Sequence, residues 1–171
     1  MKPSDSLLRP MTADDLPRVL QWRNHPAVRE YMFTRREIDL DEHHRWFERS
    51  LANPARELLI YEQHHAPMGF VSFDGMTDSS VVEWGFYVAP DASRGTGRAL
   101  GRVALHHAFV CGRRHKVAAR TIATNARALR FHSAIGFLQE GKLRDHFFDG
   151  ADYHDVICFG LLQTEWQSAQ D

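Results

Sequence analysis

A short glycine-containing loop between an apolar run and an amphipathic run constrains this chain more than any other sequence feature. The run Val81–Val88 is rich in β-branched and aromatic residues and predicts a strand, and Pro90–Gly97 follows as a loop of small residues. A helix is then predicted from about Arg98 to Gly112. Glycine lets a backbone approach a ligand closely, and the first amides of a helix lack backbone partners. This order of elements therefore favours an anion bound at the loop.

The residues of the loop narrow the kind of anion site. Arg94 and Arg98 flank Gly95-Thr96-Gly97 and add fixed positive charge with forked donors. No Gly-Lys-Ser/Thr follows, so the loop is not a P-loop, and Leu100 stands where the dinucleotide fingerprint requires its third glycine. On this stretch alone, a plain tight turn between a strand and a helix is the alternative.

Length and composition predict one ordinary globular unit. The 171 residues fit a single domain, which we expect to span residues 1–171. A hydrophobic fraction of 43% with 25% charged residues excludes disorder, collagen and coiled coil as descriptions of the whole chain. With 21 basic and 22 acidic side chains, a general nucleic-acid-binding protein is not expected, and only a local basic patch is available to a phosphate.

Cysteine usage and hydropathy predict a cytoplasmic protein without membrane association. Cys111 and Cys158 are isolated in sequence, which fits a reducing compartment better than a disulfide framework. Met1–Pro10 lacks the apolar segment of a secretory signal. No stretch reaches the roughly 18 consecutive apolar residues that a membrane span needs.

The remaining pattern predicts an α/β fold with a mixed sheet of about seven strands. The predicted strands are Leu7–Arg9, Glu57–Tyr61, Met68–Phe73, Val81–Val88, Val117–Thr124 and two more around the turn Asp149–Gly150. The other predicted helices run from a Thr12 cap to about Arg23, over Glu42–Leu51 behind an Asp41 cap, and from Ala126 to Ile135; Tyr31–Ile38 is predicted as a loop. The unit Val81 to Thr124 predicts two parallel strands joined by a right-handed crossover.

A second motif follows the predicted strand that ends at Thr124. An asparagine opens an amphipathic helix that closes on Gly-Phe, and its spaced residues are Asn125, Ala128, Phe131, Gly136 and Phe137. Together with Arg94, Gly97 and Ala99 of the first loop, this stretch resembles the GNAT superfamily of acetyl-CoA-dependent N-acetyltransferases over residues 7 to 162. The resemblance implies the GNAT fold, with helices on both faces of the sheet and a splayed cofactor cleft. It also implies acetyl-CoA as the co-substrate.

The resemblance assigns a set of cofactor-binding residues. The backbone of Phe86, Tyr87 and Val88 is expected to pair with the pantetheine arm like an added strand, Asn125 to hydrogen-bond that arm, and Phe131 to lie beside it. The diphosphate is expected at the loop residues Arg94, Gly95, Thr96, Gly97, Arg98 and Ala99.

Two residues are candidates for proton transfer. His132 stands where the family usually has a tyrosine that protonates the departing CoA thiolate. An imidazolium can serve that role because its pKa is ordinarily about 6.5; the alternative is a helix histidine with no proton to give. Glu83 interrupts an apolar strand and is the candidate base for the amine, with an outward-facing glutamate as the alternative.

The N-terminal third points to the acceptor. Its Trp-Arg-Asn-His-Pro and Glu-His-x-x-Trp-Phe stretches resemble the N-acetyltransferases of the bacterial pseudaminic acid pathway, which feeds flagellin glycosylation. The resemblance implies a UDP-4-amino-4,6-dideoxy-N-acetyl-β-L-altrosamine acceptor acetylated on its 4-amine. Arg23 and His43 are candidate partners of its diphosphate. Tyr31, Met32 and Phe33 are candidates for stacking on uracil or facing the sugar methyl group.

Alternatives remain at the level of the acceptor and of catalysis itself. One is another acceptor in the superfamily, a protein N-terminus or a polyamine, although the first 50 residues contain as many basic as acidic side chains. Another is a non-catalytic acyl-CoA-binding protein. A homodimer is possible. No metal is expected, because adjacent histidine pairs without a His-Glu-x-x-His motif suit a shared ion poorly.

Overall fold

The computed structural model describes residues 6–77 and 80–168 of the chain. The part of Met1–Pro10 that precedes Ser6 lies outside this range. Seven strands form one sheet: β1 (Ser6–Pro10), β2 (Arg56–Gln63), β3 (Ala66–Asp74), β4 (Val81–Val88), β5 (Lys116–Ile122), β6 (Leu138–Phe148) and β7 (Tyr153–Leu162). The helices are α1 (Leu16–Asn24), α2 (Pro26–Arg29), α3 (Leu40–Leu51), α4 (Thr96–His106), α5 (Ala126–Ala134) and α6 (Gln163–Ser168).

The sheet is mixed and open, in the order β1-β2-β3-β4-β5-β7-β6, which confirms the predicted class. All neighbours are antiparallel except β4 and β5, the predicted parallel pair. That pair is short: its last matched position joins Glu83 to Ala118, although β4 continues to Val88. Beyond Glu83 the two strands are therefore splayed, as the resemblance implied.

Helices cover both faces because strand residues alternate between two cores. In β2, Leu58 and Ile60 pack with the buried residues of α1 and α3. Leu59 and Tyr61, their neighbours in sequence, pack on the opposite face with the buried residues of α4. Each such buried side chain stabilises the fold by about 1.5–3 kcal/mol of apolar burial, so the two-sided alternation fixes which face each helix covers.

Several helix boundaries differ from the predicted ones for local reasons. The second long helix begins at Leu40, because the carboxylate of Asp39, not Asp41, accepts the Glu42 amide at 2.8 Å. Asp15 accepts the Thr12 amide at 2.9 Å and so closes a single 3-10 turn, Ala13–Asp15, ahead of α1.

Other differences concern turns that the sequence pattern did not reveal. Pro26 opens the extra turn α2 after His25 caps α1, since proline is compatible with a first helical position. The helix after the glycine loop begins at Thr96 instead of Arg98 and ends in one π turn, His107–Cys111. The short helix α6 was not predicted. No helix within the described residues is long and apolar enough to span a membrane.

Candidate active site

The splay between β4 and β5 opens a cleft of about 420 Å³. Its walls come from both strands, from α5 and from the segment after α1. The residues that line it include Tyr31, Met32, Phe33, Asp74, Glu83, Trp84, Phe86, Tyr87, Val88, Gly97, Arg120, Asn125, Phe131 and His132. The structure thus brings together residues that lie about 100 positions apart in the chain.

One edge of β4 is free along the cleft. Phe86, Tyr87 and Val88 pair with β3 on one side. On the other side, β4 has no matched partner in β5 beyond Glu83. An edge of unpaired N–H and C=O groups is a template for an added extended chain. The geometry therefore suits the predicted pairing with a pantetheine arm.

The glycine loop ends this edge and starts α4. Gly95 has a φ of 98°, a left-handed conformation that glycine adopts without cost. The first backbone bond into the helix runs from the Ala99 amide to the Gly95 carbonyl at 3.1 Å. The amides of Gly97 and Arg98 precede it and have no intrahelical acceptor. A Cβ on Gly97 would meet only a Val88 methyl, at 3.8 Å, so this start of the helix is open to a ligand.

The loop side chains divide between ligand-accessible and core positions. Arg94 and Arg98 are exposed. Thr96 is buried with its hydroxyl 3.2 Å from that of Ser93, and Ala99 packs against the core. Thr96 and Ala99 therefore offer a ligand only their backbone.

Helix α5 closes the cleft opposite β4. Asn125 caps it through Oδ1, which accepts the Ala128 amide at 3.0 Å, so the side-chain NH2 is the group left for the cleft. The ring of Phe131 lies 4.9 Å from that of Phe86. A Cβ on Gly101 of α4 would come within 2.9 Å of Phe131, which explains why the close approach of α4 and α5 requires glycine there.

His132 is in the cleft wall, but its nitrogens do not fit the predicted acid. Nδ1 lies 2.9 Å from the Ala128 carbonyl and must carry the proton, because a carbonyl only accepts. Nε2 is buried without a partner among the described residues. The ring stacks on Phe159 at 5.1 Å, and burial lowers the pKa of His132 to about 4. The ring is therefore neutral near pH 7, so this geometry does not support an imidazolium donor, and the catalytic role of His132 stays a prediction.

Glu83 lies where the two strands separate. One of its carboxylate oxygens pairs with Arg120 Nε at 2.8 Å, and both side chains line the cleft. Asp74, directly opposite Glu83 on β3, pairs in turn with Arg56 at 2.6 Å. Both cleft carboxylates are thus partly neutralised by an arginine. Sequence reasoning missed Arg120 and Asp74, although Arg120 interrupts a run of small and apolar residues in β5 as Glu83 does in β4.

The predicted acceptor residues fall into two groups. Tyr31, Met32 and Phe33 form one apolar wall of the cleft. His43 does not reach the cleft: it is 3% exposed and stacks on Trp46 at 5.0 Å, and burial lowers its pKa. Arg23 is half-buried beside these residues, and its Nη2 donates to the Thr34 carbonyl at 2.7 Å.

Arg23 nevertheless has an unused donor. Its Nη1 is buried without a partner among residues 6–77 and 80–168. Burial lowers the pKa of Arg23 and raises that of nearby Tyr87, whose ring lines the cleft. Arg23 therefore lies near Tyr87 but does not line the cleft itself, and its role toward the acceptor stays a prediction.

Comparisons with known proteins agree with this architecture. The family model described as an acetyltransferase (GNAT) domain matches residues 6–138. A prophage-derived uncharacterized N-acetyltransferase, YokL of Bacillus subtilis, is 27% identical over 126 residues, covering 71% of this chain and 70% of the relative. The spermidine N(1)-acetyltransferase of Vibrio cholerae is 23% identical over 168 residues, covering 95% of this chain and 96% of that protein.

A solved structure gives the same fold over nearly the whole chain. The spermidine N-acetyltransferase from Vibrio cholerae in complex with CoA and spermine has a TM-score of 0.88 at 23% identity, covering 95% of this chain and 98% of that one. The Vibrio cholerae relative and this solved structure are both described as spermidine N-acetyltransferases and not as enzymes of a nucleotide sugar. They therefore do not support the pseudaminic acid assignment. The family match spans most of the chain, and acetyl-CoA as co-substrate fits the cleft. The chain therefore belongs to the GNAT acetyltransferase domain family and is an N-acetyltransferase.

Proposed function

We propose that this enzyme transfers the acetyl group of acetyl-CoA to the primary amine of a small acceptor, for which a polyamine and an amino sugar carried on a nucleoside diphosphate are the two candidates. The observation that carries acetyl transfer is the free edge of β4 leading directly into the open start of α4. The edge takes the pantetheine amides, the amides of Gly97 and Arg98 take the diphosphate, and Arg94 and Arg98 add charge. An unpaired β4 amide polarises the thioester carbonyl.

The attacking amine must be neutral, and Glu83 is the proposed proton acceptor. It lies at the head of the splay, where an amine approaching along β4 reaches the thioester. Arg120 holds one of its carboxylate oxygens, which orients the other toward an ammonium group or a bridging water. The nitrogen then attacks the carbonyl carbon, and the C–S bond breaks as the tetrahedral intermediate collapses.

The departing thiolate needs little help in this site. A thiol has a pKa near ~8.5, so the thiolate is a competent leaving group and takes its proton from water or from the amine. We propose that His132 has a structural role instead: its neutral ring packs between Trp84 and Phe159 and forms part of the cleft wall. Much of the rate then comes from positioning two substrates in one cleft.

The support for an amino sugar nucleotide is an apolar wall of the cleft, because the charges around the acceptor half are largely paired with one another. Residues 16–36 contain five arginines and one acidic residue, but Arg29, Arg35 and Arg36 are paired with Glu37, Asp149 and Glu42. The two carboxylates of the cleft are already paired with arginines. The apolar wall of Tyr31, Met32 and Phe33 suits a deoxysugar or a uracil ring.

A polyamine is the candidate acceptor that the relatives favour. The spermidine N-acetyltransferase of Vibrio cholerae is similar to this chain over nearly its whole length, both in sequence and in fold. In this reading Asp74 and Glu83 bind ammonium groups after exchanging their arginine partners. A multivalent cation would then have to displace two existing ion pairs.

One assay separates the two acceptors. The full chain is incubated with acetyl-CoA and either spermidine or UDP-4-amino-4,6-dideoxy-N-acetyl-β-L-altrosamine, with thiol release and product mass recorded. Turnover of the sugar nucleotide with little turnover of spermidine selects the sugar nucleotide. The reverse selects the polyamine. Binding of acetyl-CoA without turnover of either amine contradicts both.

The quaternary structure and the extent of the domain stay predictions. A solved Vibrio cholerae relative with a TM-score of 0.81 and 21% identity is described as dodecameric. We propose that the present chain also self-associates, as a dimer or a larger assembly. Light scattering on the eluting peak of a sizing column measures this mass directly.

A further inference from the structure

The segment that walls the acceptor half is tied to α1 at its middle and at its C-terminal end. We call residues 31–38 the acceptor loop. Arg23 donates to the Thr34 carbonyl at 2.7 Å. Asn24 exchanges two hydrogen bonds with the backbone of Ile38, at 2.8 and 2.9 Å. These bonds fix the loop at Thr34 and Ile38, and the ion pairs Arg29–Glu37 and Arg36–Glu42 add to them. Arg35, at the tip of the loop, makes a further contact.

The tip is held by the turn between β6 and β7, 114 residues away in the chain. Arg35 Nη1 donates to Asp149 Oδ2 at 3.0 Å. The same guanidinium lies 5.1 Å above the ring of Phe147. Phe33, a cleft residue, packs edge-on against Phe147 at 5.5 Å. One side of the acceptor wall therefore rests on the β6–β7 turn.

The turn presents its carboxylate in a fixed orientation. Oδ1 of Asp149 accepts the amides of Ala151 and Asp152, both at 2.9 Å. Oδ2 receives His154 Nε2 at 2.6 Å as well as Arg35. The Asp152 amide, the His154 ring and the Ala151 amide hold the pKa of Asp149 well below its usual range, so the carboxylate stays charged. With four donors converging on it, the carboxylate is a rigid anchor and not a free surface acid.

We propose that Asp149 is a positioning residue for the acceptor: acting through Arg35, it holds the acceptor loop in the conformation that shapes the wall of Tyr31, Met32 and Phe33. The catalytic consequence rests on the proposed function, since it requires the amine substrate to bind against that wall. The structural consequence does not rest on the proposed function. The contact of Arg35 with Asp149, which we call the clamp, is present without any substrate. The two can therefore be tested apart.

The first test is hydrogen–deuterium exchange of the full chain. Asp149→Asn keeps the Oδ1 acceptor for the turn but replaces the anionic oxygen with an amide. We expect amides within residues 31–38 to exchange at least about fivefold faster, because a charge-assisted bond to the loop is lost. Glu140→Gln, which removes the ion pair between Glu140 of β6 and Lys116 of β5, is the matched control and should leave exchange in the loop unchanged. Unchanged exchange in Asp149→Asn overturns the clamp.

The second test measures kcat and the KM values for the amine and for acetyl-CoA separately, with spermidine and the UDP-4-amino sugar as probes. Asp149→Asn should raise KM for the accepted amine about tenfold while KM for acetyl-CoA and kcat change less than about twofold. Arg35→Met should do the same, and the double variant should equal either single one, because both act through one contact. Additive effects, or a fall in kcat alone, overturn the positioning role.

Two outcomes keep this proposal separate from the proposed function. If neither amine is turned over, the proposed function fails, and loop exchange alone decides the clamp. If Asp149→Asn does not fold, Arg35→Met gives both readouts, since Arg35 lies outside the turn.

Discussion

Replacing His132 with phenylalanine separates a structural histidine from a catalytic acid. Phenylalanine keeps an aromatic ring against Phe159 and Trp84 but removes both nitrogens. The folded protein holds the pKa of His132 at about 4, against an ordinary value of 6.5, because burial disfavours the charged ring. Between these two values the unfolded chain binds more protons than the folded one. Acid therefore lowers the free energy of unfolding as the pH falls below 6.5.

The size of this effect follows from the two pKa values. Linkage gives a loss of about 2 kcal/mol of stability between pH 7.5 and pH 5 from this one residue. Urea titrations at both pH values should show that loss in the parent and not in His132→Phe, since other groups titrate equally in both proteins. His146→Gln, which removes an exposed histidine, is the matched control and should keep the parent's slope.

Turnover gives the complementary readout for the same variant. A general acid contributes about 10²–10⁴-fold to a rate. His132→Phe should instead lower kcat less than about fivefold, because no donor proton is lost. A fall of more than about a hundredfold, together with an unchanged pH dependence of stability, would refute the reasoning and restore the acid role.

Three further outcomes are expected. Glu83→Gln should lower kcat at least about a hundredfold near neutral pH with KM for acetyl-CoA unchanged, measured by thiol release, because it removes the proton acceptor; equal rates would remove Glu83 from the mechanism. Gly95→Ala should cost about 1–2 kcal/mol in urea titrations and weaken CoA binding in calorimetry, because φ is 98° and no atom lies within 4 Å of the new Cβ, so the strain is in the backbone. Gly141→Ala, at a glycine with only an ordinary 4.0 Å contact, is its control. Tyr31→Ala should raise KM for the amine and not for acetyl-CoA; the opposite split would place Tyr31 on the cofactor side.

The sequence predicts features that depend on backbone demands over a few residues. Gly95 indicates a left-handed turn, because glycine adopts a positive φ without strain. Asn125 indicates the start of a helix, because its side chain can accept an unpaired amide of the first turn. The order of strands and helices follows from periodicity for the same reason. The splay of β4 from β5 was reached only through the family resemblance, since pairing that stops at Glu83 depends on how two distant segments meet.

The predictions that the structure does not support concern side chains whose environment is formed by residues distant in the sequence. The motif position of His132 suggested a donor, but its tautomer is set by the Ala128 carbonyl and its charge by the aromatic rings around it. His43 was assigned to the acceptor, yet His43, Phe47 and Ser50 share the buried face of α3 at helical spacing. That spacing was available in the sequence as a signal of burial. The clamp between Arg35 and Asp149 has no sequence signal, because 114 residues separate its partners.

The account depends most on where coenzyme A binds, and a crystal structure of the full chain with acetyl-CoA measures this directly. The pantetheine arm should extend along the free edge of Phe86–Val88, and the diphosphate should accept the amides of Gly97 and Arg98. Density for the cofactor elsewhere on the protein, or β4 and β5 paired beyond Glu83 in the complex, would contradict the account.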